Sequence, residues 1–247
     1  MSNTTGTPKV SQRKSWHREN LEGKGALFAV LSTVAISVGA LAEIIPMFTA
    51  TAGPEQMEEV TPYTPLEVAG RDIYVREGCY NCHSQMVRPF RAETLRYGAW
   101  SRAGEYAYDR PFQLGSRRIG PDLQRVGGKY PDAWHYEHMR DPRSTSPGSI
   151  MPPYPWLLTA RLDPEDVQAS VSALQTLGHP YTDEDVAGVP RSIKQQGLEI
   201  SQRLAGSGIQ TGTDTEIVAL IAYLQRLGVD GRAAIQARED AAAGVGE

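Results

Sequence analysis

Residues 25–48 carry a single charged position, Glu43, in an otherwise apolar or small-residue run. At about 1.5 Å of rise per residue a helix of this length crosses a hydrocarbon core of about 30 Å. The pattern therefore predicts one transmembrane helix. After a stretch with Pro54, Pro62 and several glutamates, expected to be a linker over residues 49–63, the pattern turns helical again. Thr64 caps and Pro65 opens a helix whose Leu66, Gly70, Ile73 and Tyr74 share one side, and Gly78 ends it. Late in the chain Ile217, Leu220, Ile221, Leu224 and Leu227 recur at helical spacing, with Thr213 and Glu216 as a capping box and Gly228 as the stop. Between these two helices the chain is rich in Pro, Gly, Arg and Tyr, with helical spacing near residues 130–140 and 164–177. Residues 178–212 show little apolar periodicity and read as an insertion. The Ala-, Gly- and charge-rich residues 229–247 read as a flexible tail.

Charge orients the apolar run. Lys9, Arg13, Lys14, Arg18 and Lys24 precede it, whereas Glu55, Glu58 and Glu59 follow it and the next basic residue is Arg71. By the positive-inside rule residues 1–24 are cytoplasmic and the chain beyond the helix is exported. Trp16 is a candidate interfacial anchor. Ala50, Thr51 and Ala52 resemble a signal cleavage site, but the apolar run exceeds a signal's usual core of about 7–15 residues, so an uncleaved anchor is expected. Glu43 shares a helical stripe with Ser32, Ala35 and Gly39, and small residues at that spacing let a second helix pack closely. That face is expected to dock on a membrane partner.

A formal net charge of −4 over 247 residues gives no basic footprint for nucleic acid, and no phosphate-cradling glycine loop is present. The chemistry lies in Cys79, Tyr80, Asn81, Cys82 and His83. They contain the protein's only two cysteines, and the histidine directly follows the second. This is the attachment pattern of a c-type haem: two thioethers to one porphyrin and an imidazole aimed at its iron. Tetrahedral zinc would require further thiolates or spaced histidines, and a dithiol redox pair gives the histidine no purpose. One such motif implies one covalently bound haem c and leaves no cysteine for a structural disulfide.

His83 supplies one axial ligand. Candidates for the other are Met86, Met139, Met151, His135, His138 and His179. Met86 is tethered too closely to His83, and Met139, His135 and His138 fall on an expected helix. Met151, in the stiff segment Gly-Ser-Ile-Met-Pro-Pro-Tyr, resembles the distal ligand of many c-type cytochromes and is the preferred choice. Gly120, Pro121, Asp122 and Leu123 resemble the segment whose proline carbonyl accepts the other ring N–H of the proximal histidine. Arg88, Arg91, Arg117, Arg118, Arg125 and Lys129 are candidate propionate partners. A His and Met pair leaves no open coordination site, which suits an electron carrier.

Five segments carry a family resemblance: CYNCHSQMVRPF (79–90), RAETLRYGAW (91–100), YDRPFQL (108–114), IGPDLQRVGGKY (119–130) and RSTSPGSIMPPYPWL (143–157). With the N-terminal anchor they resemble the mono-haem subunit II of cbb3-type cytochrome c oxidase, the FixO/CcoO family. The likeness runs from about residue 25 to 157 and weakens beyond. It implies a mainly α fold, with the N-terminal transmembrane helix followed by a class I cytochrome c-like domain with long loops over residues 64–228. In that fold the first and last helices cross, Gly70 and Tyr74 meeting Tyr223 or its neighbours. It also implies a single-pass protein of a bacterial inner membrane with its haem domain in the periplasm. The partners would be a haem–copper catalytic subunit I, which reduces oxygen and pumps protons, and an upstream multi-haem c-type subunit III. This chain would pass electrons to the low-spin haem b of subunit I and hold no catalytic residue of its own. The alternatives are the mono-haem subunit of a nitric oxide reductase and a membrane-tethered haem gas sensor.

Overall fold

A computed structural model of the chain describes residues 15–49, 57–109, 111–115 and 117–244. Lys9, Arg13 and Lys14 of the expected cytoplasmic segment, and residues 50–56 of the expected linker with the triplet Ala50, Thr51 and Ala52, lie outside the described residues. The chain divides into two units, Met1–Gly53 and Pro54–Glu247.

In the first unit helix α1 (Gly25–Thr49) holds a span, Gly25–Pro46, of mean hydropathy 2.1. Val30, Val34, Ile36 and Val38 are all exposed on it. In water such a surface would be costly, at roughly 25 cal/mol per Å² of apolar area. Length, composition and exposure are those of a helix that could cross a membrane.

The second unit is built on two helices. In α2 (Pro65–Arg76) Pro65 occupies the first position and the Glu67 carboxylate accepts the Thr64 N–H at 2.8 Å. Its buried residues include Leu66, Gly70, Ile73 and Tyr74, the side the apolar spacing predicts, and also Val68 and Ala69. Among the loops that follow, α3 (Arg91–Tyr97) is a short surface helix, and α4 (Asp132–Arg140) and α5 (Pro164–Thr176) match the helical spacing expected there.

Residues 178–212, read as an insertion with little apolar periodicity, contain a helix packed on the core. A short turn leads into α6 (Val189–Gly206), whose buried side is Val189, Ile193, Gly197, Ile200, Ser201 and Leu204. Val189, Ile193 and Leu204 belong to the same core as α2. The stripe escaped notice because it is narrow. About one aliphatic residue per turn faces inward, and Gly197 and Ser201 interrupt the aliphatic stripe. Gly197 is there for proximity: a Cβ on it would stand 1.9 Å from the Thr213 carbonyl oxygen.

Helix α7 (Glu216–Arg226) buries every residue from 216 to 221 and then Tyr223 and Leu224. Thr215, two residues later than expected, is the cap, and the Glu216 carboxylate reaches across to the Arg76 guanidinium at 2.6 and 2.9 Å instead of closing a box with Thr213. The pair α2 and α7 makes the most extensive helix–helix contact of the molecule. A Cβ on Gly70 would fall 2.0 Å from the Ala219 carbonyl oxygen, so glycine is what lets the backbones touch. The Tyr74 and Tyr223 rings meet beside it, centroids 5.4 Å apart. Truncating a side chain in this contact, such as Leu220→Ala, costs about 2–5 kcal/mol.

The expected flexible tail is helical over its described length. Gly228, at φ +69°, turns the chain into α8 (Val229–Gly244), and Ala234 and Ile235 bury Met57 in a small second cluster. Asp230 accepts the Thr61 N–H at 2.9 Å and pairs with Arg226. No named strand occurs among the described residues; an isolated bridge joins Arg161 and Thr215.

Candidate functional site

Gly78, at φ +71°, takes the chain out of α2 in a left-handed conformation that a side chain would strain. A single 3₁₀ turn, Cys79–Asn81, follows, and both the Cys82 and His83 N–H groups donate to the Cys79 carbonyl, at 3.2 and 3.0 Å. The turn thus gathers both sulfurs and the imidazole. Neither cysteine is in a disulfide, Cys82 is exposed, and burial pushes the Cys79 thiol up to about 12.

The imidazole is held from behind by a segment 38 residues away. His83 Nδ1 donates to the Pro121 carbonyl at 2.8 Å, the contact expected from the Gly120–Pro121 sequence. A carbonyl only accepts, so this partner assigns the proton to Nδ1 and leaves the Nε2 lone pair available. Burial lowers the His83 pKa, which favours the neutral ring a metal ligand requires. Gly120 lies against the ring: its N–H donates to the Cys82 carbonyl at 2.9 Å, and a Cβ there would approach His83 Cε1 to 2.3 Å.

Asp122 extends this backing, and sequence reasoning gave it no role. Its buried carboxylate accepts from Ser84 Oγ at 2.6 Å, Met86 N at 2.8 Å and Gln124 N at 2.9 Å. Arg118 joins it, bonding Ser84 Oγ and the Met86 carbonyl at 2.6 and 2.8 Å and the Glu93 carboxylate at 2.5 Å. The only sequence signal was that Asp122 follows Pro121. The same geometry sorts the basic residues considered for the propionates. Arg88 and Arg118 pair with Glu93; Arg125 pairs with Glu105 and also lines the cavity described next, as does Lys129.

In front of His83 opens a cavity of about 710 Å³. Cys79, Cys82, His83 and Met151 all line it, with Val126, Pro152, Leu220 and Leu224 among its apolar walls. It falls within the range of about 300–1,000 Å³ usual for ligand and cofactor sites. Of the distal candidates, Met151, Met139, His135 and His138 face this space. Met86 and His179 do not line it: the Met86 main chain is bound to Asp122 and Arg118, and His179 lies beside Tyr108 and Tyr181. His138 stacks on Trp134 at 4.5 Å and shares a 2.6 Å hydrogen bond with Thr145 Oγ1. Burial takes His135 down to about 4. Met151 sits in an extended loop whose end is pinned by the Tyr154 N–H donating to the Met139 carbonyl at 2.8 Å.

Two thiols, a neutral imidazole with a free Nε2, and an apolar space large enough for a porphyrin fit a covalently bound haem. A mainly helical domain in which α2 and α7 pack backbone to backbone, together with this site, has the construction of a c-type cytochrome. The chain belongs to the family of cytochrome c oxidase mono-haem subunits, described as "Cytochrome C oxidase, mono-heme subunit/FixO", which it matches over residues 18–230. The match continues past residue 157, where the sequence resemblance weakens, and through the whole of α6. No curated protein matches the chain.

Proposed function

We propose that this protein is the membrane-anchored electron relay of a cbb3-type oxidase, taking electrons from a multi-haem c-type subunit and passing them to the low-spin haem b of the haem–copper subunit. The supporting observation is the His83–Pro121 hydrogen bond at the mouth of the cavity that both cysteines share. It prepares one imidazole nitrogen for iron and fixes the other.

A bound haem c supplies one-electron exchange between its ferric and ferrous states. Cys79 and Cys82 would tether it, and His83 would ligate its iron through Nε2. The Pro121 carbonyl holds the ring and raises its basicity. Met151 would supply a thioether ligand, which would close the iron to oxygen and raise the potential relative to two histidines. The apolar walls, Leu220 and Leu224 among them, exclude water. Helix α1 anchors the domain, with the N-terminus cytoplasmic and the haem domain periplasmic in a bacterial inner membrane.

Purification of the native protein in mild detergent tests the reading. A haem-stained band of this chain should co-purify with a haem–copper subunit and a multi-haem cytochrome, in a complex that consumes oxygen. Isolation without a haem–copper subunit, or a complex that reduces nitric oxide but not oxygen, would overturn it. Carbon monoxide binding to the reduced c haem at neutral pH would favour a gas sensor.

A further inference from the structure

Apart from the large cavity, and sharing none of its lining residues, lies a second space of about 30 Å³. Three buried side chains line it and each brings one polar atom with no partner: Gln85 Nε2, Asp109 Oδ2 and Gln124 Oε1. Their residues are 0, 2 and 4% exposed. Leaving such groups buried and unpaired is costly, so three around one space are unexpected unless something fills it.

The orphaned set describes its occupant. Gln124 Nε2 donates to the Glu105 carboxylate at 3.2 Å, and its Oε1 is the end left without a partner. Gln85 Oε1 accepts from the Tyr223 hydroxyl at 3.1 Å, and its Nε2 is the end left without a partner. Asp109 Oδ1 is taken by Arg71 Nε at 2.6 Å, leaving Oδ2. One donor and two acceptors are the complement of a water molecule, which accepts one bond and gives two. Buried waters make about three hydrogen bonds, and about 10–15 Å³ of such volume holds one.

Two of the three residues lie next to the parts that hold His83. Gln85 stands two positions after it, Gln124 three after Pro121, and Asp109 is anchored to Arg71 on α2. We propose that this space holds an ordered internal water bonded to Gln85, Asp109 and Gln124, and that through it Gln124 acts as a positioning residue for the proximal imidazole. The water site stands on geometry alone; its effect on the iron rests on the haem assignment made above.

A map of the assembled oxidase, by crystallography or cryo-electron microscopy at a resolution that shows waters, is the first test. A peak at about 2.7–3.2 Å from the three atoms is expected. An empty space overturns the proposal. So does a peak at about 2.3–2.6 Å with six or more oxygen neighbours, which would mean a turned Gln85 amide and a calcium-like cation. The second test is redox titration of the c haem in the purified complex carrying Gln124→Met. It should change the electron-exchange equilibrium constant at least threefold, about 28 mV at 59 mV per decade, with haem still attached. Gln196→Met is the control, since its carbonyl oxygen is also buried without a partner but it lines neither cavity. An unshifted Gln124→Met, or an equal shift in both variants, removes the positioning role. If Gln124→Met does not assemble, Gln124→Asn, which keeps the amide and draws the carbonyl back, is titrated in its place. Wild-type protein without covalent haem would instead sink the haem assignment.

Discussion

The two sides of the large cavity are built by different means. On the proximal side His83 is backed by a polar lattice: the Pro121 carbonyl, the Gly120 contact, and Asp122 accepting three hydrogen bonds while Arg118 links it to Ser84 and Glu93. On the distal side Met151 rides a loop held by its prolines, the Met151 N–H donating to Ser149 Oγ at 3.2 Å, and the Tyr154 to Met139 hydrogen bond, and Ile150 is 77% exposed. An imidazole coordinates through one nitrogen in a fixed plane, so its ring must be oriented by directional bonds. A thioether on a flexible stem tolerates small displacements and needs only to be kept near. The lattice is where orientation matters, and the loop is where reach suffices.

The difference sets the order of expected effects. His83→Ala or Cys82→Ser should abolish normal haem incorporation, read as loss of the haem-stained band of this chain; retention of a normal low-spin c haem spectrum in His83→Ala would break the comparison outright. Met151→Ala should keep the haem covalently attached but abolish the long-wavelength sulfur-to-iron absorption and lower the potential, while Met86→Ala keeps both. The reverse outcome would move the distal ligand. Gly120→Ala forces a methyl group into the imidazole and should cost about 3 kcal/mol in thermal or denaturant unfolding, with the His83–Pro121 bond lost. Gly148→Ala on the distal loop meets nothing within 4 Å and carries only the backbone strain of φ +81°, about 1 kcal/mol. Equal costs for the two glycines would mean that the proximal side is no tighter than the distal one. Asp122→Asn, which removes the charge but keeps the shape, should cost about 2 kcal/mol.

The smallest effect is a pH dependence. The Arg118 guanidinium beside Glu93 holds its carboxyl down to about 2 in the folded protein, against about 4.3 in the unfolded chain. A group depressed on folding stabilises above its unfolded value and loses that contribution as pH falls through its folded one. Acid titration of Glu93→Gln should therefore show a shallower loss of stability between about pH 4.5 and 2 than wild type. Parallel curves would show that the Arg88, Arg118 and Glu93 cluster adds nothing to the proximal backing.

Much of the scaffold was legible because its signals are local. Pro65 and Gly78 bound a helix by backbone chemistry, and the apolar spacing of residues 217–227 needs no knowledge of what it faces. Helix α6 was not legible, since a narrow stripe of Val189, Ile193, Ile200 and Leu204 becomes a face only when α2 and α5 are there to cover it. The α7 cap illustrates the same limit: Thr213 and Glu216 have the spacing of a capping box, yet Arg76, 140 residues away in the chain, takes the carboxylate. Asp122 and the Gln85, Asp109 and Gln124 trio are polar residues without a motif, and their burial comes from chain segments tens of residues apart.

By itself the sequence determined the apolar helix of residues 25–48, the covalent attachment motif and the pair of helices that carries it, because each is written in neighbouring residues whose chemistry acts at once. Only the tertiary structure decided which side chains meet at the cavity. It brought Pro121 to the Nδ1 of His83, turned Met151 inward with His135, His138 and Met139, and kept Met86 and His179 away. Those choices depend on distances between segments far apart in the chain, and such distances are set by packing over the whole core.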